Sequence, residues 1–139
     1  MSTTIRPEVS EKNKYWISKH RYYELKHFCL QYPDWKKAYY AIDGFSRRQT
    51  ELPVHGKEAT PPTPTEKYAI ELAYYSERID MVERAAKTAD GQLASYILKA
   101  ATEEYSYEYL KVRMEIPCSK DAYYAAYRRF FWYLSKARN

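Results

Sequence analysis

Residues 106–139, SYEYLKVRMEIPCSKDAYYAAYRRFFWYLSKARN, decide how this chain is read, because a short helix, a proline-bearing turn and a longer basic, aromatic helix follow one another in them. Ser106 is placed as an N-cap, its hydroxyl free to accept an amide hydrogen of the first turn, and Leu110 and Met114 recur at helical spacing. Pro117 has no amide hydrogen and pushes Ile116 towards an extended conformation. The first helix is therefore expected to end near Glu115, and Ser119 to cap a second. In that second helix Tyr123, Tyr127, Phe130 and Leu134 form one stripe, while Asp121, Ala125, Arg128, Arg129, Trp132 and Lys136 lie broadly opposite. The order is that of a helix-turn-helix, whose second helix enters the major groove of DNA. The stripe is expected in the core. The opposite face offers a small residue flanked by charges, which suits close approach to base edges, and arginines able to reach guanine or phosphate. A solvated basic face on an ordinary terminal helix accounts for the same charges.

The run Ile116-Pro117-Cys118, then Asp121, the pair Tyr123-Tyr124, and Tyr127-Arg128-Arg129-Phe130-Phe131 with Leu134 and Arg138, resembles the C-terminal block of small phage and prophage proteins of Gram-positive bacteria. Those are read as transcriptional regulators with a helix-turn-helix similar to region four of sigma factors. The resemblance implies a module for double-stranded DNA that also touches RNA polymerase. It covers the last third of the chain, extends more loosely back to the helix starting near Tyr68, and is faint from Tyr15 to Trp35. The sequence departs from the pattern at Glu115, where many such motifs carry a turn glycine, and the stretch 116–123 is slightly longer than the compact turn.

Outward from this segment, composition fits one small protein. A chain of 139 residues, 45% of them hydrophobic, can bury one core without metals or disulfides. No stretch approaches the ~20 apolar residues that span a bilayer, and the start MSTTIRPEVS has no apolar signal region, so the expectation is a cytoplasmic protein that does not enter a membrane. Cys29 and Cys118 stand far apart with no paired spacing and read as small buried hydrophobes. Charge is unevenly placed: residues 11–42 carry seven basic and three acidic groups, residues 43–105 eight and eleven, and residues 106–139 seven and three. The two cationic segments would meet a polyanion, with the middle as scaffold.

Periodicity predicts a first helix from about Ser10 to Tyr32, with Tyr15, Tyr22, Leu25, Cys29 and Tyr32 on one stripe. Pro33 is expected to stop it, Asp34 to cap a short helix to Ile42, and Asp43-Gly44 to turn the chain. The proline-gathering stretch 43–64 reads as an irregular linker. From Thr65, a cap candidate, Tyr68, Leu72, Tyr75, Ile79, Val82 and Ala86 make the best-patterned seam, which other helices or a second copy must cover. Asp90-Gly91 breaks and recaps the chain before Leu93, Ile97 and Ala100. With no β-type alternation, the expected fold is all-α, a bundle of five or six helices: an N-terminal hairpin over 1–42, the linker, and a helical domain over 65–139.

Of four adjacent tyrosine pairs, at Tyr22, Tyr39, Tyr74 and Tyr123, only one member each can face the core centre. Most of the others read as core-edge rings with wet hydroxyls; Tyr124 is singled out because it sits beside the proposed reading face. No catalytic arrangement is legible. Ser119 and Cys118 have no histidine nearby, His20, His27 and His55 fit no motif, and three scattered glycines make no phosphate loop. The expectation is a non-enzyme without cofactor or metal. Lys111, Lys120, Tyr124 and Arg129 would contact phosphates, and Asp121, Ala125 and Arg128 would face the groove. The competing reading is a small phage-encoded modulator or anti-defence inhibitor that binds RNA polymerase or a host nuclease complex through the same surface.

Overall fold

The computed structural model describes residues 13–50 and 64–139, and the regular elements among them are six α-helices with no strand. Helix α1 (Lys19–Leu30) starts where Ser18 Oγ accepts the amide of Arg21 at 3.2 Å. The expected start near Ser10 is corrected: residues 13–15 form a turn in which Asn13 Oδ1 accepts the Tyr15 amide at 2.8 Å. An asparagine side chain that bonds its own backbone competes with helix formation, and Tyr15 thereby leaves the helical stripe. Tyr22, Leu25, Phe28 and Cys29 are the buried side of α1.

Helix α2 (Tyr32–Thr50) follows at once. Pro33 lies in its first turn, where a missing amide hydrogen costs nothing, so the proline opens a helix as well as closing one. The turn expected at Asp43-Gly44 is absent: the helix runs through both residues, Gly44 keeps a negative φ, and one glycine costs a helix only ~1 kcal/mol against alanine. Of the expected linker, 43–50 is helical and 51–63 lies outside the described residues. Helix α3 (Pro64–Ala89) begins one residue before Thr65, which is therefore inside the helix and not its cap. Along its seam Val82 and Ala86 are buried, whereas Tyr68, Leu72, Tyr75 and Ile79 are half-buried. The chain breaks at Asp90-Gly91 as expected, with Asp90 Oδ1 accepting the amides of Gln92 and Leu93 at 3.0 and 3.1 Å in the turn, but the N-cap of α4 (Ala94–Glu103) is Leu93, which makes no side-chain cap bond.

The helices fall into two units, Pro33–Asp80 and the residues up to Tyr32 with Met81–Asn139. Helix α1 thus belongs with the C-terminal helices and not in the unit of α2, its expected hairpin partner. In this larger unit α4 packs on α1, on α5 (Tyr107–Met114) and on α6 (Lys120–Ala137), and α1 also packs on α6. Buried Ala100 and Ala101 keep α4 slender enough to lie between its neighbours. The core is aromatic: Tyr22 of α1 meets Phe131 of α6 at 5.0 Å and 75°, an edge-to-face contact, and Tyr127 lies 4.9 Å from Phe131. The expected stripe of Tyr123, Tyr127, Phe130 and Leu134 is buried, widened by Ala126 and Phe131.

Three phenols sit inside this core. The hydroxyls of Tyr22 and Tyr127 meet at 3.4 Å, but the Tyr123 hydroxyl is buried with no hydrogen-bond partner among the described residues. Burial holds all three above the ordinary tyrosine pKa near 10, and also pushes up the Cys29 thiol. Because the folded pKa values exceed the unfolded ones, the stability linked to neutral phenols is intact below about pH 10 and is lost as pH rises beyond it. Urea denaturation at stepped pH should show a flat ΔG from pH 7 to about 9 and a steep alkaline fall. Tyr123→Phe should make that fall shallower and add ~1 kcal/mol at neutral pH, since it removes a desolvated, unpaired hydroxyl.

Candidate nucleic-acid interface

The approach from α5 to α6 is fixed by capping at both helices. Ser106 Oγ accepts the Tyr109 amide at 3.1 Å and Ser119 Oγ accepts the Ala122 amide at 3.2 Å, so both serines cap as the sequence reads. Between them Glu115 adopts φ 54°, in the left-handed region, and the Ile116 amide donates back to the Leu110 carbonyl at 3.2 Å. This is a Schellman-type ending, which normally takes glycine at the left-handed position. Buried Ile116 anchors the turn, and the Tyr107 hydroxyl donates to the Cys118 carbonyl at 2.7 Å, closing it from the α5 side.

On α6 the outward residues are graded along the helix. Asp121 and Ala122 are exposed, and Ala125 and Arg128 are half-buried and accessible one and two turns further on. Lys120 is exposed at the helix start, its Nζ 3.1 Å from Glu108 of α5 and 5.7 Å from the half-buried Tyr124 ring. The hydrogen bond between them lowers the Glu108 pKa and raises that of Lys120. Lys111 is exposed on α5, as is Arg113. Lys120, Tyr124 and Glu108 are thus gathered at one edge, with Asp121, Ala125 and Arg128 on successive turns of one face.

Two expected positions differ. Arg129 is half-buried and engaged within its unit: Nε donates to the Ala89 carbonyl at 2.9 Å and Nη2 lies 3.6 Å from Asp90. It satisfies the carbonyl end of α3, where a cation is favoured by the helix dipole. Trp132, expected outward, is half-covered: Tyr15 meets it edge-on at 5.3 Å and 88°, and Lys136 lies 4.8 Å over its ring. Arg21 adds hydrogen bonds to the Ser135 hydroxyl and carbonyl, both 2.9 Å. Tyr15, and Arg21 of α1, therefore partly cover the stretch from Trp132 to Ser135, whereas the outer face from Lys120 to Arg128 stays exposed or half-buried. Ala122 and Arg113 join the surface without having been singled out in the sequence. The signal for Ala122 was its position three residues past a capping serine, facing away from the Tyr123 stripe.

No family model, curated protein or solved structure matches this chain. The site is therefore read from its own geometry.

Elsewhere in the same unit, a groove of about 550 Å³ lies between the end of α3 and the start of α4, lined by Glu83, Ala86, Lys87, Ala94 and Leu98 among others. Cys118 is half-buried and its thiol pKa is raised, first by burial and then by Asp90. His20 and His27 are exposed on α1, and no group of three His, Cys, Asp or Glu among the described residues is arranged to hold a metal ion. No helix among those residues is long and apolar enough to cross a membrane.

The strained cap gives a direct test of the turn. Replacing Glu115 with glycine should raise stability by ~1 kcal/mol in chemical denaturation, because glycine enters the left-handed region without the side-chain penalty. The opposite sign would mean that the turn is held differently.

Proposed function

We propose that this chain is a sequence-specific DNA-binding protein, a transcriptional regulator of the phage type its C-terminal segment resembles, and that α5, the turn and α6 act as a helix-turn-helix. The observation that carries the reading is the open start of α6, with Ser119 and Lys120 followed by Asp121, Ala122, Ala125 and Arg128 on an accessible face. The N-terminal turn of a helix presents unpaired amides and the positive end of its dipole, which favours a phosphate there. In this arrangement Lys111, Lys120 and Tyr124 position the helix on the backbone. Ala122 and Ala125 leave room for base edges, and Arg128 and Asp121 read them. Arg129 acts from behind by holding α6 to the end of α3. Glu108 shields Lys120 in the free protein, and because both groups are exposed their pair exchanges readily for a phosphate.

A second reading rests on α5. Val112 is 77% and Tyr109 42% exposed, apolar surface beside Lys111 that fits a protein such as RNA polymerase or a host nuclease complex. A stoichiometric protein recovered from nuclease-treated host lysate by the wild type, and lost with Val112→Asp, would favour it.

For the first reading, binding to random duplex measured across a salt series is decisive: absence of binding at low salt would sink it. Lys120→Ala should weaken all sequences alike and make the salt slope about one unit shallower, whereas Arg128→Ala should cost ~1–3 kcal/mol and relax sequence preference. Arg129→Ala should instead lower folding stability, by ~1–2 kcal/mol, through the buried Ala89 carbonyl left without this donor.

A further inference from the structure

The unit formed by Pro33–Asp80 leaves part of α3 open to water in a pattern that matches itself. Ile70 is 67% and Tyr74 49% exposed, and they lie one turn apart on the same side of the helix. On one flank of this pair stand Glu71, exposed, and Arg78, half-buried, three residues before and four after Tyr74. The Arg78 guanidinium covers the Tyr74 ring at 3.4 Å and donates to the Tyr74 carbonyl at 2.9 Å, which uses one of its five hydrogen-bond donors and stretches the side chain along the face. An acidic and a basic residue on one flank, disposed about a central aromatic ring, are complementary to their own copies in an antiparallel pairing of two identical helices. A two-fold axis near Tyr74 brings Glu71 of each copy opposite Arg78 of the other, because the two residues are at nearly equal axial distances from that axis. The same axis sets Tyr74 against its own copy and Ile70 over the aliphatic stem of Glu77. Glu77 lies on the opposite flank from Glu71, so the acidic groups are kept apart.

We infer that this chain self-associates as an antiparallel two-fold dimer through the Ile70–Arg78 face of α3, with Glu71–Arg78 ion pairs formed twice across the axis. An interface that contacts the same surface on both copies satisfies both ion pairs by one symmetry operation. The charges set register and direction, and the apolar pair supplies the buried area. The patch is well below the ~1,600 Å² of a standard interface, so the association is weak and its ion pairs are screened by salt. This inference is independent of the DNA-binding proposal.

Sedimentation velocity on the full chain, at concentrations up to about 500 µM and at two ionic strengths, provides the test. The expected result is a concentration-dependent monomer–dimer equilibrium that weakens with added salt. Glu71→Arg and Arg78→Glu should each reduce self-association at least tenfold, by setting like charges opposite one another. An equimolar mixture of the two variants should recover the dimer, since the all-basic flank of the first variant then lies against the all-acidic flank of the second and both ion pairs are restored, one with native and one with reversed polarity. Recovery on mixing also shows that both variants are folded, and unchanged circular dichroism of each provides a second control. A wild-type chain that stays monomeric over the whole range overturns the inference. So does a dimer that is indifferent to either charge reversal, or one that mixing does not restore when both variants keep their helicity.

Discussion

The burial of one side of α6 is the constraint on which the larger unit depends. Tyr123, Ala126, Tyr127, Phe130, Phe131 and Leu134 present more aromatic surface than an isolated helix can expose to water, and no neighbour in sequence can cover it. The cover comes from far along the chain: Tyr22, Leu25 and Cys29 of α1, and the alanine-lined face of α4. Once these close, the rotation of α6 about its own axis is set. Arg129 then ties that rotation to the carbonyl end of α3, and Arg21 ties it to the chain at Ser135. The accessible start of α6 is thus a product of what is hidden, because the outward residues are those left once the inward ones are satisfied.

Features governed by local chemistry were legible in the amino-acid order. Ser106 and Ser119 act as caps, and Asp90 closes its turn, because the groups they satisfy lie two or three residues away, and the period of the Tyr123 stripe declares its own inner side. Features that depend on distance in sequence were not. Arg129 falls on the outer half of a helical wheel, yet its reach carries it to Ala89, forty positions earlier. Trp132 reads as outward until Tyr15, outside any helix, is laid against it. Asp43-Gly44 has turn composition, but a single glycine is a small penalty beside the helix-forming residues around it.

The tyrosine content shows the same division. Within the pairs Tyr22-Tyr23 and Tyr123-Tyr124 one ring is buried and the next is half-exposed, as neighbours ~100° apart on a helix must be. In Tyr39-Tyr40 and Tyr74-Tyr75 neither ring is fully buried, and the rings meet each other nearly at right angles instead. Pair spacing alone fixes the angle between neighbours but not the depth at which they sit. Depth is decided by which other helices arrive.

The separation of duties along α6 bears on how this chain can change over generations. Substitution at Asp121, Ala122, Ala125 or Arg128 leaves the aromatic side untouched, whereas substitution at Phe130 or Phe131 must be matched by compensation in α1 or α4. The outer residues from Asp121 to Arg128 can therefore vary one at a time without disturbing the packed aromatic side.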